Sequence, residues 1–111
     1  MTHELIIERR KIIVKAQVVG INGFRECRFI LDTGAAKSII GDGAAKDLGF
    51  DLHRLQCGDR LMTAGGGVSS KILKLPKISL FGKDLDNFEV NVLNFPLQIS
   101  YFVDGLIGMD F

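Results

Sequence analysis

Few side chains in this sequence could carry chemistry, and the choice among them is narrow. His3 and His53 are the only histidines, and Cys27 and Cys57 the only cysteines. Neither histidine has a Ser or Cys partner that would make a nucleophilic pair. His53 and Cys57 stand at helical i, i+4 spacing, but a zinc site would need both His3 and Cys27 to complete it. Asp32-Thr33-Gly34 is the remaining candidate. It follows the apolar run Phe29-Ile30-Leu31, continues as Ala35, and leads through Ser38 into Ile39-Ile40. A carboxylate so placed can serve as a general acid or base. The bland reading is a polar turn at a strand end. At average residue usage the triplet arises by chance in roughly one chain in fifty of this length, so its surroundings must decide.

Those surroundings read as all-β. Ile12 to Val19 is rich in β-branched residues and predicts a strand. Gly20-Ile21-Asn22-Gly23 predicts a turn, and Phe24 to Leu31 returns with Cys27, Phe29 and Leu31 on one face. That hairpin delivers its end directly onto Asp32. A short helix is expected next, with Asp42 as N-cap, Ala44, Ala45, Lys46 and Leu48 inside, and Gly49 as terminator. Leu61 to Ala64, then Gly65, Gly66 and Gly67, then Val68 to Leu73 predict a second hairpin with a flexible tip, ended by Pro76. A phosphate loop at the glycines is disfavoured, because no Lys-Ser/Thr pair and no helix follow them. A third hairpin is expected from Ile78-Ser79-Leu80-Phe81 and Phe88 to Leu93, turning at Gly82-Lys83-Asp84. Ile99 to Val103 precedes the closing run Asp104-Gly105-Leu106-Ile107-Gly108-Met109-Asp110-Phe111. A weak internal echo relates Ile30-Leu31-Asp32-Thr33-Gly34 to Gly105-Leu106-Ile107-Gly108. Only the first copy carries a carboxylate in the equivalent slot, so one chain holds half of a potential pair.

Composition bounds the rest. With 111 residues, the chain predicts a single domain over 1–111, large enough to bury a core without metal or disulfide support. A formal charge of +1, with no basic patch or Lys/Arg run that stands out, gives no support to nucleic-acid or anionic-membrane binding. Two cysteines fit a reducing compartment better than a disulfide scaffold, and Cys27 reads as a small buried apolar residue. The amino terminus breaks its apolar residues with charges and lacks the centre of a signal peptide. The expectation is therefore a cytoplasmic protein, with a periplasmic or anchored longer form left open. Lys37 reads equally as a solvated charge or as the border of a cleft.

Taken together, Asp32-Thr33-Gly34-Ala35, the Gly-tipped hairpin and the terminal Leu106-Ile107-Gly108 resemble the retropepsin-like aspartic proteases, the viral processing enzymes and their bacterial and eukaryotic relatives. The resemblance spans roughly residues 12 to 111. It implies a small closed acid-protease-type β-barrel with one short helix, carrying a single Asp-Thr-Gly half-site and working as a homodimer. Amide hydrolysis without a covalent intermediate needs a base to activate water and an acid to polarise the carbonyl. Two carboxylates a few ångströms apart supply both; they cannot both ionise, so one proton is shared and the pair titrates as a unit. Aspartic proteases are the type case of that effect. One Asp per chain then requires a two-fold axis through the site.

The same resemblance implies roles for the neighbours. Thr33 would hydrogen-bond across the axis, Gly34 would permit close backbone approach, and Ala35 would complete the loop. Leu106, Ile107 and Gly108 would buttress it from beneath. Residues 64–68 (Ala64, Gly65, Gly66, Gly67 and Val68) would form a flap over an extended peptide. No cofactor and no metal are implied. An apolar cleft is expected, with cleavage between hydrophobic residues. The chain stops at Phe111, where the family's carboxyl-terminal helix would begin, so that helix and the final dimer-forming strand are expected to be missing. The flap also lacks the isoleucine-flanked tip of the viral enzymes. The alternative reading is a catalytically idle peptide-binding or dimerisation module on the same fold.

Overall fold

The computed structural model describes residues 5–8, 11–58, 61–63, 66–68, 70–94 and 103–111. Ten strands occur among them: β1 (Leu5–Glu8), β2 (Lys11–Gly20), β3 (Gly23–Leu31), β4 (Ile39–Gly41), β5 (Gln56–Cys57), β6 (Leu61–Thr63), β7 (Gly66–Val68), β8 (Lys71–Leu80), β9 (Lys83–Leu93) and β10 (Gly105–Ile107). One short helix, α1 (Asp42–Asp47), and one 3-10 turn (Leu52–Arg54) complete the set. The expected strand Ile99 to Val103 lies outside the described residues except for Val103. Among the described residues, no helix is long and apolar enough to cross a membrane.

Strand order is β1-β2-β3-β10-β4-β9-β8-β5, and β2 also pairs with β8. That last pairing closes a ring of six strands, β2-β3-β10-β4-β9-β8, with β1 and β5 attached outside it. Closure removes the open sheet edges that small β proteins must otherwise protect. The expected all-β barrel with one short helix is the observed architecture. Two long antiparallel hairpins form most of the wall: β2 pairs with β3 from Ile13↔Ile30 to Gly20↔Gly23, and β8 with β9 from Lys71↔Val92 to Leu80↔Lys83. Inside sit Val14, Ala16, Val18, Cys27, Phe29, Ile40, Leu73, Leu75, Ile78 and Ile107, all nearly without solvent contact. Each fully buried aliphatic or phenyl side chain contributes about 1.5–3 kcal/mol of transfer free energy. A second, smaller cluster joins Ile13, Ile30 and Val103, with Leu106 packed against it.

The chain differs from the sequence expectation at three punctuation marks. Pro76 does not end a strand, because β8 runs through it. Instead, buried positions fall on Leu73 and Leu75 before it and on Ile78 and Leu80 after it, so the strand changes the face it turns inward. Opposite Pro76 stands Asn87 at φ 52°, and β9 changes face at the same level. A residue without an N–H costs least where the ladder is already interrupted. The β8–β9 turn is Phe81-Gly82, both at positive φ, rather than Gly82-Lys83-Asp84. Finally, Gly41 is the helix N-cap and Asp42 the first helical residue. Gly41 is still paired to Leu93 and donates its N–H to Asp104 O at 2.7 Å, and the helix begins at Asp42, one residue earlier than expected. There the Asp42 carboxylate lies in the first turn, at the positive end of the helix dipole. Gly49, at φ 95°, ends the helix as expected.

Candidate active site

Asp32 is the first residue beyond β3, and β10 determines where it sits. β10 lies parallel to β3, with Leu106 opposite Ile30 and Ile107 opposite Leu31. It lies antiparallel to β4 on its other side. Such insertion needs close approach, and Gly105 supplies it: a Cβ there would run into the Ile39 carbonyl and stand 2.8 Å from the Phe29 ring. The Asp32 N–H donates to Ile107 O at 2.9 Å, extending the β3–β10 ladder to the acidic residue itself.

Beyond that point the backbone folds around the side chain. Gly34 N–H donates to Asp32 Oδ1 at 3.0 Å, and Ala35 N–H donates to Asp32 O at 3.1 Å. A carboxylate that accepts a backbone N–H two residues on makes a compact turn and fixes its own rotamer. Asp32 is half-buried, whereas Thr33 and Gly34 are exposed. Gly34 does not take a positive φ, and a Cβ on it would meet only Asp32 Oδ1, at an ordinary 3.4 Å. Among the described residues, nothing therefore demands glycine at that position.

The far side of the loop is latched to the residues after β10. Met109 N–H donates to Ala35 O at 2.7 Å. Ser38, fully buried, donates its hydroxyl to Asp110 Oδ1 at 2.7 Å and its N–H to Asp110 Oδ2 at 3.0 Å. Its Oγ in turn accepts the Gly108 N–H at 3.0 Å. Before β10, Asp104 anchors the strand in the same way. Its Oδ2 accepts the Arg28 N–H at 2.8 Å, and its Oδ1 pairs with Arg25 Nη2 at 3.3 Å. Arg25 also reaches Asp47 Oδ2 at 2.8 Å. Burial opposes the charge of Arg25, but Asp104 and then Asp47 outweigh it and raise its pKa. Sequence reasoning assigns no such role to Ser38, Asp104 or Asp110. The one available signal is an acidic residue on each side of Leu106-Ile107-Gly108.

Other candidates fall away from this centre or border it. Cys27 is fully buried, and its thiol is pushed up to about 12, first by desolvation and then by Asp104. His53 and Cys57 are both exposed, and among the described residues no three His, Cys, Asp or Glu side chains converge on a possible metal position. Lys37 is exposed and lies 3.9 Å from Glu89, as a solvated ion pair would. The glycine-rich hairpin is present as β6 against β7, with Leu61↔Val68, Met62↔Gly67 and Thr63↔Gly66. Gly66 and Gly67 thus belong to a paired strand rather than to a tip, while Ala64 and Gly65 lie outside the described residues. At its root Gly58 N–H donates to Ser70 O at 2.8 Å, and the Ser70 hydroxyl donates to Asn91 Oδ1 at 3.2 Å.

Comparison with known proteins agrees with this geometry. A family model described as aspartyl protease matches residues 14–111. A retropepsin-like aspartic protease from Rickettsia conorii superposes with a TM-score of 0.71 at 26% identity, covering 97% of this chain and 76% of the other. The EIAV protease, solved with the inhibitor HBY-793, superposes with a TM-score of 0.70 at 19% identity, covering 92% of this chain and 85% of the other. A search of curated proteins found no match. A family match that takes in both the Asp32 loop and β10, on a barrel shared with these two enzymes, establishes that the chain belongs to the retropepsin-like aspartyl proteases.

Proposed function

We propose that the protein is an aspartic endopeptidase that works as a homodimer, with the two Asp32 carboxylates facing one another across the two-fold axis. The observation that carries this reading is the backbone enclosure of Asp32. Its N–H is tied to Ile107 and its Oδ1 to Gly34, and the loop beyond is latched through Ser38 to Asp110. A side chain held by its own backbone at an exposed loop is preorganised to meet a twin. In the dimer one carboxylate takes the proton of a water placed between them, and the other donates a proton to the scissile carbonyl oxygen. Thr33 and Gly34, exposed in the protomer, meet their copies beside the axis. The hairpin that carries residues 64–68 acts as the flap, closing over an extended peptide and hydrogen-bonding its main chain. Leu106, Ile107 and Gly108 hold the catalytic loop from below. An apolar cleft selects hydrophobic residues on both sides of the cleaved bond.

A quenched fluorogenic peptide with a hydrophobic pair at its centre tests the proposal, assayed from mild acid to neutral pH. The wild-type protein should cleave it with a bell-shaped pH profile, as a pair sharing one proton requires. Asp32→Asn should lower kcat by on the order of 10²–10⁴-fold while leaving the circular dichroism spectrum unchanged. A statine-containing peptide should drive the protein from monomer to dimer in sedimentation. Equal cleavage by the wild type and Asp32→Asn would remove the protease assignment.

A further inference from the structure

The hairpin proposed as a flap and the loop that carries Asp32 are joined through one buried residue. Both stems of the hairpin meet at Gly58 and Ser70, where the Gly58 N–H donates to Ser70 O at 2.8 Å. Ser70 is 3% exposed and Asn91 5%, and the Ser70 hydroxyl donates to Asn91 Oδ1. Gly58 is packed onto this pair so closely that a Cβ would stand 2.9 Å from Ser70 Oγ and 3.0 Å from Asn91 Oδ1. On the other side, the Asn91 N–H donates to Ser38 O at 3.1 Å, and Ser38 holds Gly108 and Asp110 beneath the Asp32 loop. β9 makes the connection possible. Asn91 stands opposite Ile72 of β8 and Ile39 of β4, so it belongs to both ladders at once. Phe88, Val90 and Val92 turn into the core on one face of β9, and Asn91 is a buried polar residue on the other.

We infer that Asn91 is a positioning residue coupling the root of the 61–68 hairpin to the catalytic loop, so that movement of the hairpin changes the restraint on Ser38 and, through it, on Asp32. A buried residue held through its side-chain Oδ1 on one side and its backbone N–H on the other resists independent displacement of its partners, because separating either leaves an unpaired polar group in the interior. A leucine at the same place would keep the backbone bond to Ser38 but lose the tie to Ser70. The inference rests on the reading of 64–68 as a flap for its functional meaning, but the coupling itself is a property of the free protein. It can therefore be tested without catalysis.

Hydrogen–deuterium exchange of the full chain, read by mass spectrometry, tests it. Peptides covering residues 56–72, 32–41 and the β2–β3 hairpin are followed in wild type, Ser70→Ala, Ser70→Thr and Asn91→Ala. Ser70→Ala removes the hydroxyl that donates to Asn91 Oδ1 and leaves the sequence of the 32–41 segment unchanged. It should accelerate exchange in 56–72 and in 32–41 alike, by roughly 3–10-fold, the population change expected from one buried hydrogen bond. Asn91→Ala, which removes the acceptor instead, should accelerate the same two segments. Ser70→Thr, which keeps the hydroxyl, should restore both, and the β2–β3 peptide should keep the wild-type rate throughout. Acceleration confined to 56–72 in Ser70→Ala would overturn the coupling, and so would an equal rise in all three peptides, which reports loosening of the whole fold. In the peptidase assay the same Ser70→Ala change should alter KM and kcat together, with Ser70→Thr recovering both. An inactive wild type would refute the protease reading while the exchange data still decide the coupling.

Discussion

Ser38→Ala is the substitution for which the structure gives the most definite magnitude. The hydroxyl is fully buried and makes two bonds: it donates to Asp110 Oδ1 at 2.7 Å and accepts the Gly108 N–H at 3.0 Å. Removing it deletes a hydrogen bond to a charged acceptor, worth about 1.5–3 kcal/mol, and orphans a buried backbone donor, which costs about 1–3 kcal/mol. Asp110 is exposed and keeps the Ser38 N–H, so water compensates part of the first loss. The two losses also share one atom and are not additive. The expected net loss is therefore about 2–4 kcal/mol, against a total stability of roughly 5–15 kcal/mol for a domain of this size. Thermal unfolding followed by circular dichroism, at one fixed protomer concentration, should show Tm lowered by on the order of 10–20 °C. Ser38→Cys, which retains a weak donor and acceptor, should fall between the wild type and Ser38→Ala. A Ser38→Ala protein within about 0.5 kcal/mol of wild type would refute the claim that this hydroxyl joins the loop to the segment after β10.

Gly108→Ala should be at least as damaging. The new methyl would stand 2.7 Å from Ala35 O and 2.8 Å from the Lys37 backbone, both in the loop that follows Asp32. Overpacking of this kind costs about 1–3 kcal/mol, and the loss should appear in urea unfolding with peptide cleavage reduced further than stability alone explains. Arg25→Ala should cost under about 1 kcal/mol, because its side chain is 36% exposed and its ion pairs are screened. Asp104→Ala, which removes the acceptor of the Arg28 N–H, should cost about 1–3 kcal/mol, and a reversed ranking in denaturant titrations would contradict the assignment. At pH 8, iodoacetamide should label Cys57 and spare Cys27 in the native protein, with both reacting in denaturant. The linkage follows in sign: between pH 9 and about 12 the folded Cys27 keeps a proton that the unfolded chain has lost. Its contribution to stability is complete below pH 9 and lost as pH rises toward 12, and Cys27→Ala should remove that part of the decline.

What the sequence makes legible is local. The β-branched run of β2 and the turn at Ile21-Asn22 signal themselves within a dozen residues, and the structure reproduces both. The Asp-Thr-Gly triplet and the Leu106-Ile107-Gly108 run are visible as separate pieces, and parallel pairing of β10 with β3 brings them side by side. Pro76 defeats its local rule, that proline stops a strand, because the rule omits the partner strand. Asn87 at positive φ absorbs the irregularity from across the ladder. Three consecutive glycines suggest a flexible tip, whereas pairing places Gly66 and Gly67 in β7.

The polar residues that hold the Asp32 loop are the least legible, and their separation along the chain explains why. Ser38 and Asp110 are 72 residues apart, Arg28 and Asp104 76, and Ser70 and Asn91 21. Propensity and periodicity describe neighbours within one element, so no single-sequence rule joins such pairs. The two acidic residues around Leu106-Ile107-Gly108 nevertheless follow from what β10 must do. A three-residue strand inserted between β3 and β4 has too few ladder bonds to hold itself in register. Asp104 therefore ties its entrance to β3, and Asp110 ties its exit to the segment leading into β4. Asp32 inherits its position from β10 through the Ile107 carbonyl. Loosening either acidic anchor should thus reach Asp32 even though neither touches it.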